Sequence, residues 1–367
     1  MTNVNEKYGL KRVINASGRM SILGVSAPSD AVFEAMKLGG QNYVEIADLV
    51  DKAGARIAEM LDAEDAVVVN SASSGIALSV AAVVTRGHEG ISMKLHQEPI
   101  VGNEIILLKG HNVQYGAPIE TMIALGGGHR VEVGYANEGR KNHVIDAINE
   151  RTAALLYVQS HHAVQKNMLS IEEMREISLT HNIPLIIDAA AEGNLKKYVQ
   201  LGDLAIYSGS KAIEGPTTGI VAGSKEYVTW VKTQLHGIGR SMKVGKESTF
   251  GLLAALEEYW DKADTSAKQK KVVQNLTSDL ANYAGITVTE VQDEAGRPIF
   301  RARIRIDAAK IGKSAVELVE ALRTGSIAIY TRDYGATQGF FDIDSRSLQG
   351  DDAEIIATEI KRFIAQK

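Results

Sequence analysis

Two residues stand where packing alone does not explain their type. Lys211 lies in Ile206-Tyr-Ser-Gly-Ser-Lys-Ala-Ile-Glu-Gly-Pro216, on a tight glycine-flanked turn directly after the short apolar run Leu204–Tyr207. Asp188 closes another apolar run, Pro184-Leu-Ile-Ile-Asp188, 23 positions earlier, and three alanines follow it. A lysine amine that sheds its proton is a nucleophile that forms a Schiff base with a carbonyl. A carboxylate at a strand end has a matching task, which is to hold a proton on a ring nitrogen of the same cofactor.

A third constellation is Asn70-Ser-Ala-Ser-Ser-Gly75, between an apolar strand pattern and a helical one. Hydroxyls and free backbone N–H groups at a helix N-terminus make an anion cradle. Each feature alone has a plain explanation: a serine N-cap, an aspartate turn, an exposed lysine. The ordered set is more specific. A phosphate cradle, then a carboxylate, then a lysine, all at the ends of strands, is what pyridoxal phosphate requires.

The elements that must position these residues alternate. Strand patterns at 66–69, 105–108, 130–133, 154–158, 185–187 and 204–207 are near-continuously apolar, with helical patterns at 75–85, 118–125, 143–149 and 171–180. That describes a mostly parallel sheet with helices on both faces. Gly219–Gly223 returns too soon after the Lys211 turn for a crossover helix, so it is expected to run antiparallel, which argues against a (β/α)₈ barrel. A long helical pattern over 249–274, with a break near 264–266, leads to a strand–strand–helix–strand–strand–helix pattern. The expected organisation is an N-terminal segment, 1–45, contributing to the active site, a large α/β domain over 46–248, and a linking helix with a small C-terminal α+β domain over 249–367.

Composition narrows the functional classes. With 45% hydrophobic and 23% charged residues the chain reads as an ordinary globular protein, and its formal charge of −5 speaks against coating nucleic acid. The absence of cysteine removes thiolate metal sites and disulfides. No run approaches the roughly 20 apolar residues of a membrane span, and the first residues lack a signal-peptide core, so a cytoplasmic protein without membrane or metal partners is expected.

Four motifs carry a resemblance that spans most of the chain: Val13-Ile-Asn-Ala-Ser-Gly18, Val69-Asn-Ser-Ala-Ser-Ser-Gly75, Asp188-Ala-Ala-Ala and Ser208-Gly-Ser-Lys-Ala-Ile-Glu-Gly-Pro216. The set resembles the fold-type I pyridoxal-phosphate enzymes of the selenocysteine synthase-like branch. It departs from the synthases at Ser210, where they carry Asp, and at Glu214, where they carry Gly. The opening Tyr8-Gly-Leu-Lys-Arg-Val-Ile-Asn-Ala-Ser-Gly-Arg-Met20 looks most like the D-glucosaminate-6-phosphate ammonia-lyases of that branch. The shared pattern begins within the first fifteen residues, without the extra N-terminal portion that synthases use for tRNA, so no nucleic-acid substrate is expected.

The resemblance implies a seven-stranded large-domain sheet and a set of roles. Lys211 would carry the cofactor and then move the α-proton, and Asp188 would hold the ring nitrogen's proton. Ser73, Ser74 and Gly75, with Ser208 and Ser210, would bind its phosphate. Ala190 would pack on one ring face and His111 on the other, with Tyr115 as competitor. Arg346, ahead of Arg332, would clamp the substrate carboxylate, since a guanidinium fork matches it. His161 and His162 follow a strand; adjacent residues point oppositely, so at most one faces the cofactor. Lys243, in the basic glycine-rich loop His236–Lys246, is the candidate for a substrate phosphate. The implied reaction is an α,β-elimination on a 2-amino-3-hydroxy sugar acid phosphate such as D-glucosaminate 6-phosphate, in a homo-oligomer whose active site lies at a dimer interface. Another lyase or transferase of the branch is the alternative.

Overall fold

A computed structural model describes residues 4–97, 100–293 and 298–365. The chain divides into two compact units, Ser26–Asp261 and the combination of Met1–Val25 with Lys262–Lys367. Strands are numbered in chain order. β1 (Val13–Ala16) belongs to the smaller unit. The next seven, β2 (Asp65–Val69), β3 (Glu104–Leu108), β4 (His129–Val133), β5 (Thr152–Val158), β6 (Leu185–Asp188), β7 (Leu204–Ser208) and β8 (Gly219–Gly223), form one sheet.

The sheet order is β2-β8-β7-β6-β5-β3-β4, and only β8 runs against its neighbours. The short Lys211 turn leaves no room for a crossover, and β8 is antiparallel as the sequence requires. Alternate residues of each strand feed two cores. Val67, Ile105, Leu156, Ile186 and Ile206 pack beneath the helix Ala72–Thr85, while Val68, Ile106, Leu155, Ile187 and Tyr207 pack beneath the helices Ile46–Leu61 and Ile171–His181. Burial on both faces explains the unbroken apolar runs. Because β2 and β3 to β7 run the same way, their C-terminal ends share one edge. That edge carries Asn70–Ser73, Lys109–Tyr115, Gln159–His162, Asp188–Ala190 and Ser208–Lys211.

The break expected near 264–266 falls between the helices Lys246–Trp260 and Ser266–Leu280. The first of these packs against the helix Asp30–Gln41: Gly39 lies where a Cβ would meet the Phe250 ring, and Gly251 sits against Met36. These contacts draw both helices into the larger unit, so the divisions fall after residues 25 and 261 rather than 45 and 248.

In the smaller unit, β9 (Ile286–Gln292), β10 (Phe300–Ile306) and β12 (Phe340–Asp344) form an antiparallel sheet of order β12-β10-β9. β11 (Ala328–Thr331) instead pairs in parallel with β1, Ala16 opposite Thr331. Along β10 the period of two sends Ala302, Ile304 and Ile306 into the core and Arg301, Arg303 and Arg305 to the other face. Directly across, β12 offers Asp344 to Arg301 and Asp342 to Arg303. Among the described residues no helix is long and apolar enough to cross a membrane.

Candidate active site

Asp188 is the last residue of β6, registered between Val158 of β5 and Ile206 of β7. Its side chain is buried, and Oδ1 accepts the Ala190 N–H at 3.0 Å. Burial raises its pKa; the Ala190 N–H and the positive charge of Lys211 oppose that, and Glu192 adds to it. A carboxylate in this setting is stabilised by a cation placed against it. Ala190 itself is held on both sides, since its carbonyl accepts the Ser208 N–H at 3.3 Å.

Lys211 sits half-buried on a turn pinned by backbone bonds. Gly209 donates to the Thr218 carbonyl at 2.9 Å, Gly215 donates to the Gly209 carbonyl at 2.8 Å, and Glu214 closes onto the Lys211 carbonyl at 3.3 Å. Glu214 takes a left-handed φ of 62°. The Ser208 and Ser210 hydroxyls on the same turn are buried and 3.2 Å apart.

The helix Ala72–Thr85 begins at the same edge. Gly219 of β8 allows this, because a Cβ there would lie 2.5 Å from the Ser71 carbonyl carbon and 2.7 Å from the Ala72 nitrogen. Ser71 caps the helix by accepting the Ser74 N–H at 3.1 Å, and the Ser74 hydroxyl returns to the Ser71 N–H and to Asn70, whose Oδ1 is 2.5 Å away. The Gly75 N–H is already bonded to the Ser71 carbonyl, and its bare α-carbon faces Ile206 and Val221. Of the three residues expected at the phosphate, Ser74 and Gly75 are therefore committed to the cap and to packing. Ser73 remains, along with the first N–H groups of the helix.

Ser73 faces Tyr115, whose hydroxyl is buried without a well-formed hydrogen bond; burial raises its pKa, Ser73 lowers it and Asp188 raises it further. An orphaned phenol between Ser73 and Asp188 marks this pocket as built for a polar guest. A phosphorylated heterocycle fits it: anion donors at one end, a buried carboxylate at the other, and Lys211 beside them.

His111 is not the aromatic cover expected from sequence. It is fully buried, its Nδ1 accepts the Val158 N–H at 3.3 Å, and its ring stands edge-on to Tyr157 at 4.5 Å and 88°. Burial lowers its pKa to about 4. The cause is local: Lys109–His111 is a 3-10 turn that swings the ring inward, whereas an extended chain would have carried it to the edge. Tyr115, four residues on, lies beside Ser73 and within the field of Asp188.

The segment after β5 is anchored by the Gln159 N–H on the Asp188 carbonyl at 2.8 Å. His161 and His162 follow with ring centroids 4.0 Å apart. Partial burial and then the Lys211 charge lower the pKa of His162.

In the smaller unit, Arg346 is already engaged. Its Nε and Nη2 meet Asp344 at 2.9 and 2.7 Å, and Arg301 reaches the same carboxylate at 3.0 Å. Gly18, with φ of 90°, lies over this pair, since a Cβ would touch Asp344 Oδ2 at 3.1 Å and Arg346 Nη2 at 3.3 Å. Asn15 holds the same loop by donating to the Gly18 carbonyl at 2.8 Å, which explains the Asn-Ala-Ser-Gly motif. Arg332 makes a long hydrogen bond, 3.4 Å, to the Ser17 carbonyl, and its guanidinium lies 5.9 Å from the centre of the Tyr334 ring. Sequence reading missed Asn15, Gly18 and Asp344 as the supports of the two arginines; the glycine motif was the available signal. In the basic loop of the larger unit, Lys246 caps the helix Asp30–Gln41 through the carbonyls of Gly39, Gly40 and Asn42, while Lys243 is exposed.

Comparison with known proteins places these observations in a family. The family model described as "SelA: L-seryl-tRNA selenium transferase" matches residues 13–348. D-glucosaminate-6-phosphate ammonia lyase of Salmonella typhimurium (strain 14028s / SGSC 2262) is 43% identical over 359 residues, covering 97% of this chain and 96% of that protein. A 5'-C-glycyluridine monooxygenase-decarboxylase from a Streptomyces species is 38% identical over 365 residues, 98% of this chain and 91% of the relative. A solved structure of D-glucosaminate-6-phosphate ammonia-lyase superimposes with a TM-score of 0.94 at 41% identity, covering 99% of both chains. The architecture is fold type I of the pyridoxal-phosphate enzymes, a mostly parallel sheet with a C-terminal sheet unit.

Proposed function

This chain belongs to the SelA family, and from that premise we propose that it is a pyridoxal-phosphate-dependent ammonia-lyase. It acts on D-glucosaminate 6-phosphate and yields 2-keto-3-deoxygluconate 6-phosphate and ammonia. The observation that carries the substrate is the end-to-end 43% identity with an enzyme of that name.

Pyridoxal phosphate, when bound, supplies an aldehyde for an amine and a protonated ring that draws electrons from Cα. The residues of this chain do the rest. Asp188, buried and supported by the Ala190 N–H, holds the proton on the ring nitrogen. Ser73, Ser208, Ser210 and the first N–H groups of the helix Ala72–Thr85 receive the cofactor phosphate. Tyr115 and Ala190 are the residues that would cover the two faces of its ring. Lys211 is the residue that would hold the cofactor, and its Nζ, once free, would take the Cα proton. Of the two arginines, Arg346 commits Nε and Nη2 to Asp344, which leaves the Arg332 guanidinium the more available to an anion. Lys243 is the candidate for the substrate phosphate.

Assembly belongs to the same reading. Phe33, Leu38, Tyr43 and Ile46 are more than half exposed within one short stretch of the larger unit, an apolar surface that a second copy of the chain would cover. A cysteine-free chain acting on a phosphorylated metabolite fits the cytoplasm.

The test is release of ammonia and a 2-keto acid from D-glucosaminate 6-phosphate with added pyridoxal phosphate. Release by the wild type and its loss in Lys211→Ala are expected. A wild type that takes up the cofactor but releases no ammonia would overturn the substrate.

A further inference from the structure

Elimination of a 3-hydroxyl needs a proton for the departing oxygen as well as a base at Cα. We propose that His162 relays the proton taken up by Lys211 to that oxygen, an inference that rests on the elimination reading above. The loop carrying His162 is fixed at both ends: Gln159 N–H to the Asp188 carbonyl at 2.8 Å, and Val164 N–H to the Gly110 carbonyl at 3.0 Å. Within it, His162 N–H bonds to Ser160 Oγ at 3.2 Å, and the ring rests against His161 at 4.0 Å. The loop thus places His162 beside the ends of β5 and β6, its side chain largely exposed and within the field of the Lys211 charge. The groups around it are Lys211 from the turn after β7 and His161 on its own loop, and Asp188 at the end of β6 feels both Lys211 and Glu192.

Partial burial lowers the pKa of the ring, and in the cofactor-free protein the Lys211 charge lowers it further, so the imidazole is neutral near pH 7. A neutral imidazole accepts at one nitrogen and donates from the other, which is the form a relay needs. The Cα–H bond breaks and its proton moves to Lys211 Nζ, while its electron pair becomes the C2=C3 bond. The C3–O bond breaks with its pair on oxygen. Lys211 passes its new proton to one nitrogen of His162 as the other nitrogen protonates that oxygen, so water leaves. No external acid is required.

The test is His162→Gln assayed in D₂O with D-glucosaminate 6-phosphate and with its 3-chloro-3-deoxy analogue, whose halide leaves without a proton. Ammonia release from the natural substrate should fall about 100-fold with KM unchanged, the scale of losing a general acid. Exchange of the Cα proton should persist, and the chloro analogue should react at the wild-type rate. In the cofactor-free protein, Lys211→Ala should move the His162 NMR titration midpoint upward. Equal slowing of exchange and elimination, undiminished elimination, or a titration indifferent to Lys211→Ala would each overturn the relay. A wild type that fails on the natural substrate refutes the substrate reading, and the relay with it.

Discussion

Asp344 grips Arg346 through both carboxylate oxygens, at 2.9 and 2.7 Å, two residues apart at the end of β12. Burial would raise the pKa of Asp344, but hydrogen bonds and charge from Arg346 and Arg301 outweigh it and hold the carboxyl at about 2. The folded-state value lies below the unfolded one, so this ion triad stabilises the fold above about pH 4. The contribution, about 2 kcal/mol, is lost as pH falls toward 2.

Asp344→Asn leaves Arg301 and Arg346 without their shared counter-charge. Breaking a buried pair from one side costs about 3–5 kcal/mol. Urea titrations at pH 7 should show that loss, and between pH 4 and 2 the variant's stability should change less than the wild type's. Equal stability at pH 7 would contradict the structural role.

The serine cluster separates into a cap and a cradle. Ser74→Ala removes one side of the capping box and should lower stability by about 1 kcal/mol with little change in pyridoxal phosphate affinity. Ser73→Ala should weaken cofactor affinity at unchanged stability. Titration of cofactor binding beside a thermal melt reads both, and the reverse pattern would show that the two hydroxyls had been assigned the wrong way round.

His111 and Tyr115 make an opposed pair. Because His111 is buried neutral with a pKa near 4, the unfolded chain binds a proton that the native state refuses once pH drops below about 6.5. Native stability should therefore fall by about 3 kcal/mol between pH 6.5 and 4, and less in His111→Gln. Tyr115→Ala, in contrast, should shift the absorbance of bound cofactor and weaken its binding. A cofactor spectrum that responds to His111→Gln and ignores Tyr115→Ala would restore the histidine to the ring.

The contrast between these residues shows what a linear sequence reveals. That Lys211 and Asp188 share one edge was legible, because Asp188 ends one unbroken apolar strand, Lys211 lies on the turn after another, and parallel strands bring such ends together. The antiparallel β8 followed from the length of one turn. His111 misled because a single 3-10 turn reverses which way a ring points, and nothing in Lys-Gly-His announces that turn. The pairing of β1 with β11 was hidden for a different reason: a four-residue strand says nothing of a partner near the other end of the chain. The arginines were visible as residue types, but Asp344, which decides how much of Arg346 is available, is registered to Arg301 only through the folded sheet.

The claim on which the rest depends is that Lys211 carries the cofactor. Borohydride reduction of the protein loaded with pyridoxal phosphate, followed by digestion and mass spectrometry, tests it directly. A single pyridoxyl-phosphate mass added to the peptide containing Lys211, and absent in Lys211→Ala, is the predicted result. Labelling of another lysine, or of none, would contradict the account.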